Sequence, residues 1–306
     1  MIKKIIIDTD PGVDDAVALL LAFGHPHEFD ILGITTVAGN VPINQTAINA
    51  RKICELAGRP DMKVFAGSVG PLKGPPIDAS HVHGKTGLNG STLPEPVMTL
   101  QQQHAVDFII DTLRTEASGT VTLCTLGPQT NIAHVLNRAP DVITRIKQIV
   151  MMGGSYFEGG NMSPVGEFNV YADPEATKVV LTAGIPLVIM PLDVTHKAII
   201  DAEKINRIQA IGSRASESVL EVLKAYERIS GGPLHDPTVI AYMLNPNIFS
   251  GRFCNVEVEI DSPLTRGMTV VDWRKLTNRT PNALWITQVD NDHLYEMIMA
   301  SLSFFH

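Results

Sequence analysis

The sequence is short of cysteine, of clustered positive charge and of long apolar runs, and each shortage argues against a class of protein. Its three cysteines, Cys54, Cys124 and Cys254, are widely spaced, as is typical of reduced thiols in a cytoplasm. The formal net charge is −8 and lysine and arginine form no cluster, which argues against a nucleic-acid partner. The longest apolar region, residues 179–194, is interrupted by threonine, glycine and proline, so no membrane span is predicted.

No targeting segment, repeat or linker is predicted either. The first apolar run, residues 5–7, is too short for a signal peptide, so we expect a cytoplasmic protein. A length of 306 residues suits two domains or one large α/β domain and is enough to bury a sizeable core. Because no low-complexity tract marks a boundary, we expect one domain over residues 1–306.

The most informative segment is acidic and follows the first predicted strand. An isoleucine run at residues 5–7 is typical of a buried strand, and an amphipathic run at residues 16–23 is typical of a helix. Between them Pro11 disfavours helix at the preceding residue and Gly12 permits a tight turn. The segment carries four carboxylates within eight residues, at Asp8, Asp10, Asp14 and Asp15.

Two interpretations of these aspartates remain open. Four like charges this close repel, and a cation bound by oxygen ligands, calcium or magnesium rather than zinc, would hold them together. Alternatively, Asp14 and Asp15 would only favour the positive end of the helix dipole. Capping leaves Asp8 and Asp10 unexplained, and ligands of open α/β sheets bind at the carboxyl ends of strands. A metal or substrate site is therefore the favoured interpretation.

Strand and helix patterns alternate along the rest of the chain. Strands are predicted at residues 31–37, 63–66, 120–126, 148–152, 186–192, 253–260, 268–273 and 284–289. Helices are predicted near residues 43–57, 105–113, 202–211, 216–229, 238–244 and 294–305, and two more are predicted to start at residues 127–131 and 173–175. This order predicts an α/β fold with an open, mostly parallel sheet and helices on both faces.

Two long polar segments, residues 67–96 and 155–172, show no periodicity, and long irregular segments in compact domains are usually functional or disordered. Asp173, followed by proline, is predicted to be only a helix cap. Asp236 also precedes a proline, so from the residues alone it is either a cap or a ligand.

A set of ordered motifs resembles the inosine-uridine preferring nucleoside hydrolases. The first is Asp8-Thr9-Asp10-Pro11-Gly12-Val13-Asp14-Asp15. The later ones are Val37-Ala38-Gly39-Asn40, Val82-His83-Gly84, Gly127-Pro128-Gln129-Thr130-Asn131, Met152-Gly153-Gly154, Glu167-Phe168-Asn169 and His235-Asp236-Pro237. The resemblance implies a Rossmann-like nucleoside hydrolase fold in one domain. Among the branches of the family, the chain is similar to bacterial ribonucleoside hydrolases, several of which prefer pyrimidines.

The resemblance implies a metal site and a reaction. Calcium would be bound by Asp10, Asp15, the backbone carbonyl of Leu126 and Asp236, all of them hard oxygen ligands. The reaction would be hydrolysis of the N-glycosidic bond of ribonucleosides to ribose and free base, with uridine and cytidine favoured, as in nucleoside catabolism and pyrimidine salvage. A metal-bound water would attack the anomeric carbon while Asp10 takes its proton.

The resemblance also assigns residues to the substrate. Residues implied for the ribose and the attacking water are Asp14, Asn40, Met152, Asn161, Glu167, Asn169 and Asp236. His83 and His235 are implied for the base pocket, with His235 as the group that protonates the departing base. His81 has no such support and is predicted to be a surface residue. Relatives are often dimers or tetramers, which implies a homo-oligomer.

Two other functions fit part of the pattern. A strand ending in Asp8-Thr9-Asp10 is similar to the nucleophile motif of haloacid-dehalogenase-like phosphatases, which would use magnesium and a phosphoaspartate. A non-catalytic nucleoside sensor on the same scaffold would also keep the binding residues. In a phosphatase the later motifs would have no role. In a sensor the proposed base Asp10 would have no role.

Overall fold

The computed structural model of the chain describes residues 2–225 and 232–305. The strands among them are β1 (Lys3–Thr9), β2 (Phe29–Thr36), β3 (Val64–Ala66), β4 (Val121–Thr125), β5 (Ile146–Met152), β6 (Leu187–Met190), β7 (Ile199–Ile200), β8 (Gly232–Pro233), β9 (Phe249–Cys254), β10 (Val256–Val258), β11 (Thr269–Val271) and β12 (Ala283–Val289). The α-helices are α1 (Val13–Phe23), α2 (Ile43–Leu56), α3 (Ser80–His83), α4 (Ala105–Thr115), α5 (Thr130–Arg138), α6 (Phe168–Ala172), α7 (Pro174–Thr182), α8 (Leu192–Thr195), α9 (Ala202–Ile211), α10 (Arg214–Ala225), α11 (Pro237–Leu244) and α12 (Asn291–Phe304).

Eight strands of the described chain form one sheet in the order β3-β2-β1-β4-β5-β6-β12-β9. Every neighbouring pair is parallel except β12 and β9, which are antiparallel. The strand order reverses direction at β1, since β2 lies on one side of it and β4 on the other. The predicted open, mostly parallel sheet is confirmed, and this reversal is the point at which such folds bind their ligands.

Both faces of the sheet are covered, as predicted. Successive side chains of a strand point to opposite faces. Ile5 and Ile7 of β1 pack into a core with α1, α11 and α12, whereas Ile6 packs into a second core with α4, α5 and α7. All three isoleucines are almost fully buried, which explains why β1 reads as an unbroken apolar run.

Three sequence predictions need correction. The strand predicted at residues 253–260 is two strands in different sheets, β9 and β10. The break follows from Asn282, whose side chain accepts from the backbone N–H of Val256 and donates to its carbonyl. The two segments predicted to be irregular contain the short helices α3 and α6. The helix predicted at residues 216–229 begins earlier, at Arg214, and its last predicted turn lies outside the described residues.

No helix in the described part of the chain is long and apolar enough to cross a membrane.

Candidate active site

Four carboxylates meet at the carboxyl end of β1. Asp10 follows the strand, and Asp14 and Asp15 lie in the first turn of α1. Asp236, at the start of α11, joins them from more than two hundred residues away. All four are buried, with exposed fractions between 0 and 6%. The structure therefore brings together the acidic residues for which the sequence predicted a shared site.

Asp15 makes one capping bond, so the capping interpretation is partly correct for this residue. Its Oδ2 accepts from the backbone N–H of Gly12 at 2.9 Å, which is a capping bond. The same carboxylate also accepts from the hydroxyl of Thr9 at 2.5 Å and from the amide of Asn40 at 3.2 Å. The side chain of Asp236, by contrast, makes no capping bond to α11. Capping alone does not account for the cluster.

Asp10 is held between two loops that approach it with glycine. Its Oδ2 accepts from the backbone N–H of Asn40 at 2.7 Å, and the side chain of Asn40 donates to the Asp10 carbonyl at 3.1 Å. A Cβ on Gly39 would lie 2.1 Å from Oδ2, and one on Gly127 would lie 2.3 Å from Oδ1. These glycines are required because any side chain there would displace the carboxylate of Asp10.

The cluster is electrostatically costly. Burial, followed by the charge of Asp15, raises the pKa of Asp10 well above its ordinary value. Burial also raises the pKa of Asp236 well above its ordinary value, and the charges of Asp15, Asp14 and Asp10 add to the effect. Each carboxylate opposes the ionisation of its neighbours, so the cluster favours bound protons or a bound cation.

The chemistry of these residues, rather than the present placement of their side chains, fits a hard divalent cation. Within the described part of the chain, no three His, Cys, Asp or Glu side chains already converge as a ready-made metal site. The carbonyl of Leu126 accepts from Asn169 at 2.6 Å, and both oxygens of Asp15 accept from neighbours. The donor atoms are nevertheless all oxygens, which are the ligands that calcium and magnesium prefer. The carboxylates among them repel one another, and a bound cation would reduce that repulsion.

Asp8 does not contact the pocket and supports it from below. Its Oδ1 accepts from the hydroxyl of Thr35 at 2.5 Å and from the amide of Asn131 at 2.8 Å. Its Oδ2 is buried and has no hydrogen-bond partner among the described residues. Burial raises the pKa of Asp8 to about 7. The backbone carbonyl of Asp8 accepts from the N–H of Leu126, so this residue fixes the strand ends beneath the site.

A pocket of about 240 Å³ opens above the acidic cluster. Nine of the residues implied for the substrate or metal line it: Asp14, Asn40, Leu126, Met152, Asn161, Glu167, Asn169, His235 and Asp236. Asp10 and Asp15 lie beneath this lining and contact it through Asn40. The ordered motifs of the sequence therefore converge on one cavity.

The loop after β5 and the start of α6 form one wall of the pocket. Asn169 donates to the carbonyl and to the sulfur of Met152, at 3.3 and 3.2 Å. The carboxylate of Glu167 is buried and accepts from the backbone N–H groups of Gly154 and Asn169 at 2.8 and 3.0 Å. Burial raises the pKa of Glu167. Glu167 thus organises the wall as well as lining the pocket.

His235 lines the pocket next to the acidic cluster. Nδ1 of His235 lies 2.7 Å from the hydroxyl of Thr195, and its backbone N–H donates to Asp14 at 3.1 Å. Segment 79–83 also borders the pocket, but the side chain of His83 lies outside the described residues, as does that of His81. The prediction for His83 therefore stays a prediction.

Sequence reasoning missed His196, which lines the pocket beside His235. A usable signal was present, because His196 follows closely on β6, and the carboxyl ends of parallel strands meet where ligands bind. Asp173, predicted to be only a cap, is confirmed as one, since it accepts from the backbone N–H of Ala176 at 3.0 Å. It also accepts from Thr130 and from the backbone of Leu72.

Several known proteins resemble this chain along its whole length. An uncharacterized protein of Schizosaccharomyces pombe is 51% identical, with 98% of each chain covered. The pyrimidine-specific ribonucleoside hydrolase RihA of Salmonella schwarzengrund is 44% identical, with all of both chains covered. Among solved structures, a purine-preferring ribonucleoside hydrolase from Gardnerella vaginalis matches with a TM-score of 0.90, 30% identity and 98% of each chain covered.

The model of the family described as inosine-uridine preferring nucleoside hydrolase matches residues 5–296. This match overturns the phosphatase alternative, which used only the first of the motifs. It covers the acidic cluster and all the residues that line the pocket. The chain belongs to the inosine-uridine preferring nucleoside hydrolase family and is an N-glycosidase of that family.

Proposed function

We propose that the protein hydrolyses pyrimidine ribonucleosides, uridine and cytidine, to ribose and the free base. The observation that carries the proposal is a pocket that lies above four buried carboxylates and is also lined by His235. The pyrimidine preference is supported by 44% identity to a pyrimidine-specific relative, against 30% to a purine-preferring structure.

Calcium is the proposed cofactor. Asp10, Asp15, Asp236 and the carbonyl of Leu126 are the groups that would hold it. When bound, calcium offsets the repulsion among the carboxylates and lowers the pKa of water at the site. The carboxylates lie on the loop after β1 and at helix starts, at the edge of the sheet rather than within it.

Asp10 is the proposed general base. Its carboxylate lies beneath the pocket, and hydrogen bonds from Asn40 fix its orientation. It would accept the proton of the water that attacks the anomeric carbon as the bond to the base breaks. A role as proton acceptor requires the ionised form, which its surroundings oppose in the metal-free protein.

Asp14, Asp236 and Asn169 are proposed to bind the ribose hydroxyls. Asp14 and Asp236 supply acceptors at the floor of the pocket, and Asn169 supplies an amide on the adjacent wall. Asn161 and Glu167 are proposed to hold the 5′-hydroxyl. The backbone N–H of Phe168 donates to Asn161 at 2.8 Å, so the two residues are fixed to the same wall.

His235 is proposed to neutralise the departing base. Developing negative charge on the base slows departure unless a proton or hydrogen bond offsets it. His235 lines the pocket, and its contact with Thr195 fixes the orientation of its ring.

A panel of nucleosides assayed for reducing sugar tests the proposal. Uridine and cytidine should release ribose faster than inosine, and 2′-deoxyuridine should be a poor substrate. Sites built around a hydroxyl reject its absence by roughly 10⁴-fold or more. Comparable kcat/KM for uridine and deoxyuridine would contradict the roles of Asp14 and Asn169. Preferred hydrolysis of inosine would contradict the base preference, and tight uridine binding without turnover would favour the sensor.

A further inference from the structure

The base end of the pocket contains a second imidazole, that of His196, which has no part in the reaction described above. His196 and His235 both line the pocket, and their ring centroids are 5.8 Å apart. His235 is tied to the acidic floor through Asp14, whereas His196 pairs with Glu158, whose side chain is 41% exposed. His196 is therefore the histidine nearer the rim.

The buried carboxylate of Asp193 holds the pair of His196 and Glu158 in position. Oδ1 of Asp193 accepts from three consecutive backbone N–H groups, those of residues 156–158, at 2.7 to 3.2 Å. Its Oδ2 accepts from the indole N–H of Trp285 at 2.7 Å. Asp193 is 2% exposed and stands three residues before His196 in the chain. The loop that carries Glu158 is thus fixed to the segment that carries His196.

The two histidines have partners of different hydrogen-bonding character. Nδ1 of His196 lies 3.2 Å from the carboxylate of Glu158, and an ionised carboxylate can only accept. In the neutral form of the ring, the N–H of His196 is therefore at Nδ1, and Nε2 presents a lone pair. The partner of His235 is the hydroxyl of Thr195, which can donate to Nδ1 and so permits an N–H at Nε2.

We propose that Nε2 of His196 accepts a hydrogen bond from an N–H group on the edge of the base that is remote from the glycosidic bond. The imide N3–H of uracil and the 4-amino group of cytosine are donors of this kind. His196 then selects the base while His235 assists its departure. The inference rests on the proposed function, because it takes pyrimidine ribonucleosides as the substrates.

The test compares uridine with 3-methyluridine, in which N3 has no hydrogen. Both substrates are assayed with the wild type, with His196→Phe and with Glu158→Gln. The measured quantity is the ratio of their kcat/KM values, so the difference in size and intrinsic reactivity between the substrates is the same in each comparison. In His196→Phe, which keeps a ring but no nitrogen, the preference for uridine should fall roughly tenfold. In Glu158→Gln, whose amide can donate to Nδ1 and permits the other tautomer, the preference should also fall, by a smaller factor.

His293→Phe is the matched control. Nδ1 of His293 lies 2.8 Å from Asp290, so this is also an imidazole paired with a carboxylate, but neither residue lines the pocket. Its ratio should equal that of the wild type. If the ratio of the kcat/KM values for uridine and 3-methyluridine is unchanged in both His196→Phe and Glu158→Gln, the proposed role of His196 is wrong. This holds whether or not both substrates slow together. Absence of uridine hydrolysis by the wild-type protein overturns the proposed function and this inference with it.

Discussion

His235 is the residue that connects the floor of the pocket to its base end. Its backbone N–H donates to Asp14, and its ring is oriented by Thr195. A histidine that only packs beside Asp236 would have the same neighbours, so contacts alone do not separate a catalytic role from a structural one. Leaving-group chemistry does separate them, because only a catalytic histidine responds to the nature of the departing group.

Replacing His235 by alanine should slow hydrolysis of uridine by about 10²- to 10⁴-fold, the usual size of general-acid assistance. It should spare p-nitrophenyl riboside, whose leaving group is a stable anion and needs no proton. Measurement of kcat for both substrates checks this, with Asp10→Ala as the comparison, since loss of the base should slow both. Equal losses for the two substrates in His235→Ala would remove this residue from the leaving-group role.

Asp8 should make the metal-free protein less stable as the pH rises. Its folded pKa of about 7 lies above its ordinary value of 3.8, so between these pH values the folded state holds a proton that the unfolded state has lost. Each unit of difference in pKa corresponds to about 1.4 kcal/mol. The free energy of unfolding of Asp8→Asn minus that of the wild type should therefore be larger at pH 8 than at pH 5. Urea unfolding in the presence of chelator measures this difference.

Asp61→Asn is the control for this effect. A hydrogen bond from Arg59 lowers the pKa of Asp61 from its ordinary value of 3.8, so the contribution of Asp61 is lost only as the pH falls below that value. The difference in stability between Asp61→Asn and the wild type should therefore stay constant from pH 5 to pH 8. A difference between wild type and Asp8→Asn that stays constant from pH 5 to pH 8 would contradict the titration of Asp8 over this range.

Local sequence predicts some residue roles and not others. The cluster of Asp10, Asp14 and Asp15 is evident because four carboxylates within eight residues need an explanation. Asp236 is ambiguous from its neighbours, because an aspartate before proline is also a common cap, and only its position in the fold distinguishes the two. His196 escapes notice because its partner Glu158 belongs to a different loop.

At the scale of elements, the site is made by loops that meet at the carboxyl ends of parallel strands. Asp8 of β1 pairs in register with Thr35 of β2 and with Thr125 of β4. The three strands therefore end side by side, and the loops after them converge on the carboxylate of Asp10. Gly39 and Gly127 occupy the two positions of closest approach.

Gly127→Ala should lower kcat for uridine by about 10²-fold, the size of effect expected when a catalytic group is displaced by about 1 Å. The new Cβ would lie 2.3 Å from Oδ1 of Asp10, so that carboxylate must move. Gly184→Ala is the control. Gly184 has a φ of +73°, and a Cβ added there would have no atom of a non-adjacent described residue within 4 Å, so its change should cost about 1 kcal/mol of stability and leave kcat unchanged. Full activity in Gly127→Ala would show that the position of Asp10 is not critical.

Strand and helix periodicity predicts the elements that bury one face and fails where side chains redirect the backbone. β1 and the helix after it are evident, because an apolar run ends in a turn sequence. The division of residues 253–260 is not, because it depends on the side chain of Asn282, almost thirty residues later. The short helix α6 likewise depends on the capping carboxylate of Glu167, in a stretch with no helical periodicity.

At the scale of the whole molecule, the fold concentrates negative charge at one point of its interior. It brings Asp236 against residues near the start of the chain and buries all four carboxylates. This arrangement opposes folding of the ionised, metal-free protein, because like charges repel most strongly where water is excluded. Folding alone does not require such a cluster, and the proposed cation would offset its electrostatic cost.

Uridine turnover by metal-stripped protein, measured as calcium is added back, tests this account most directly. Elemental analysis establishes that the starting protein is free of metal. The account predicts no release of ribose before calcium is added and recovery of activity as the metal binds, with no recovery in Asp10→Ala. Full turnover by protein shown to be free of metal, in excess chelator, would contradict it.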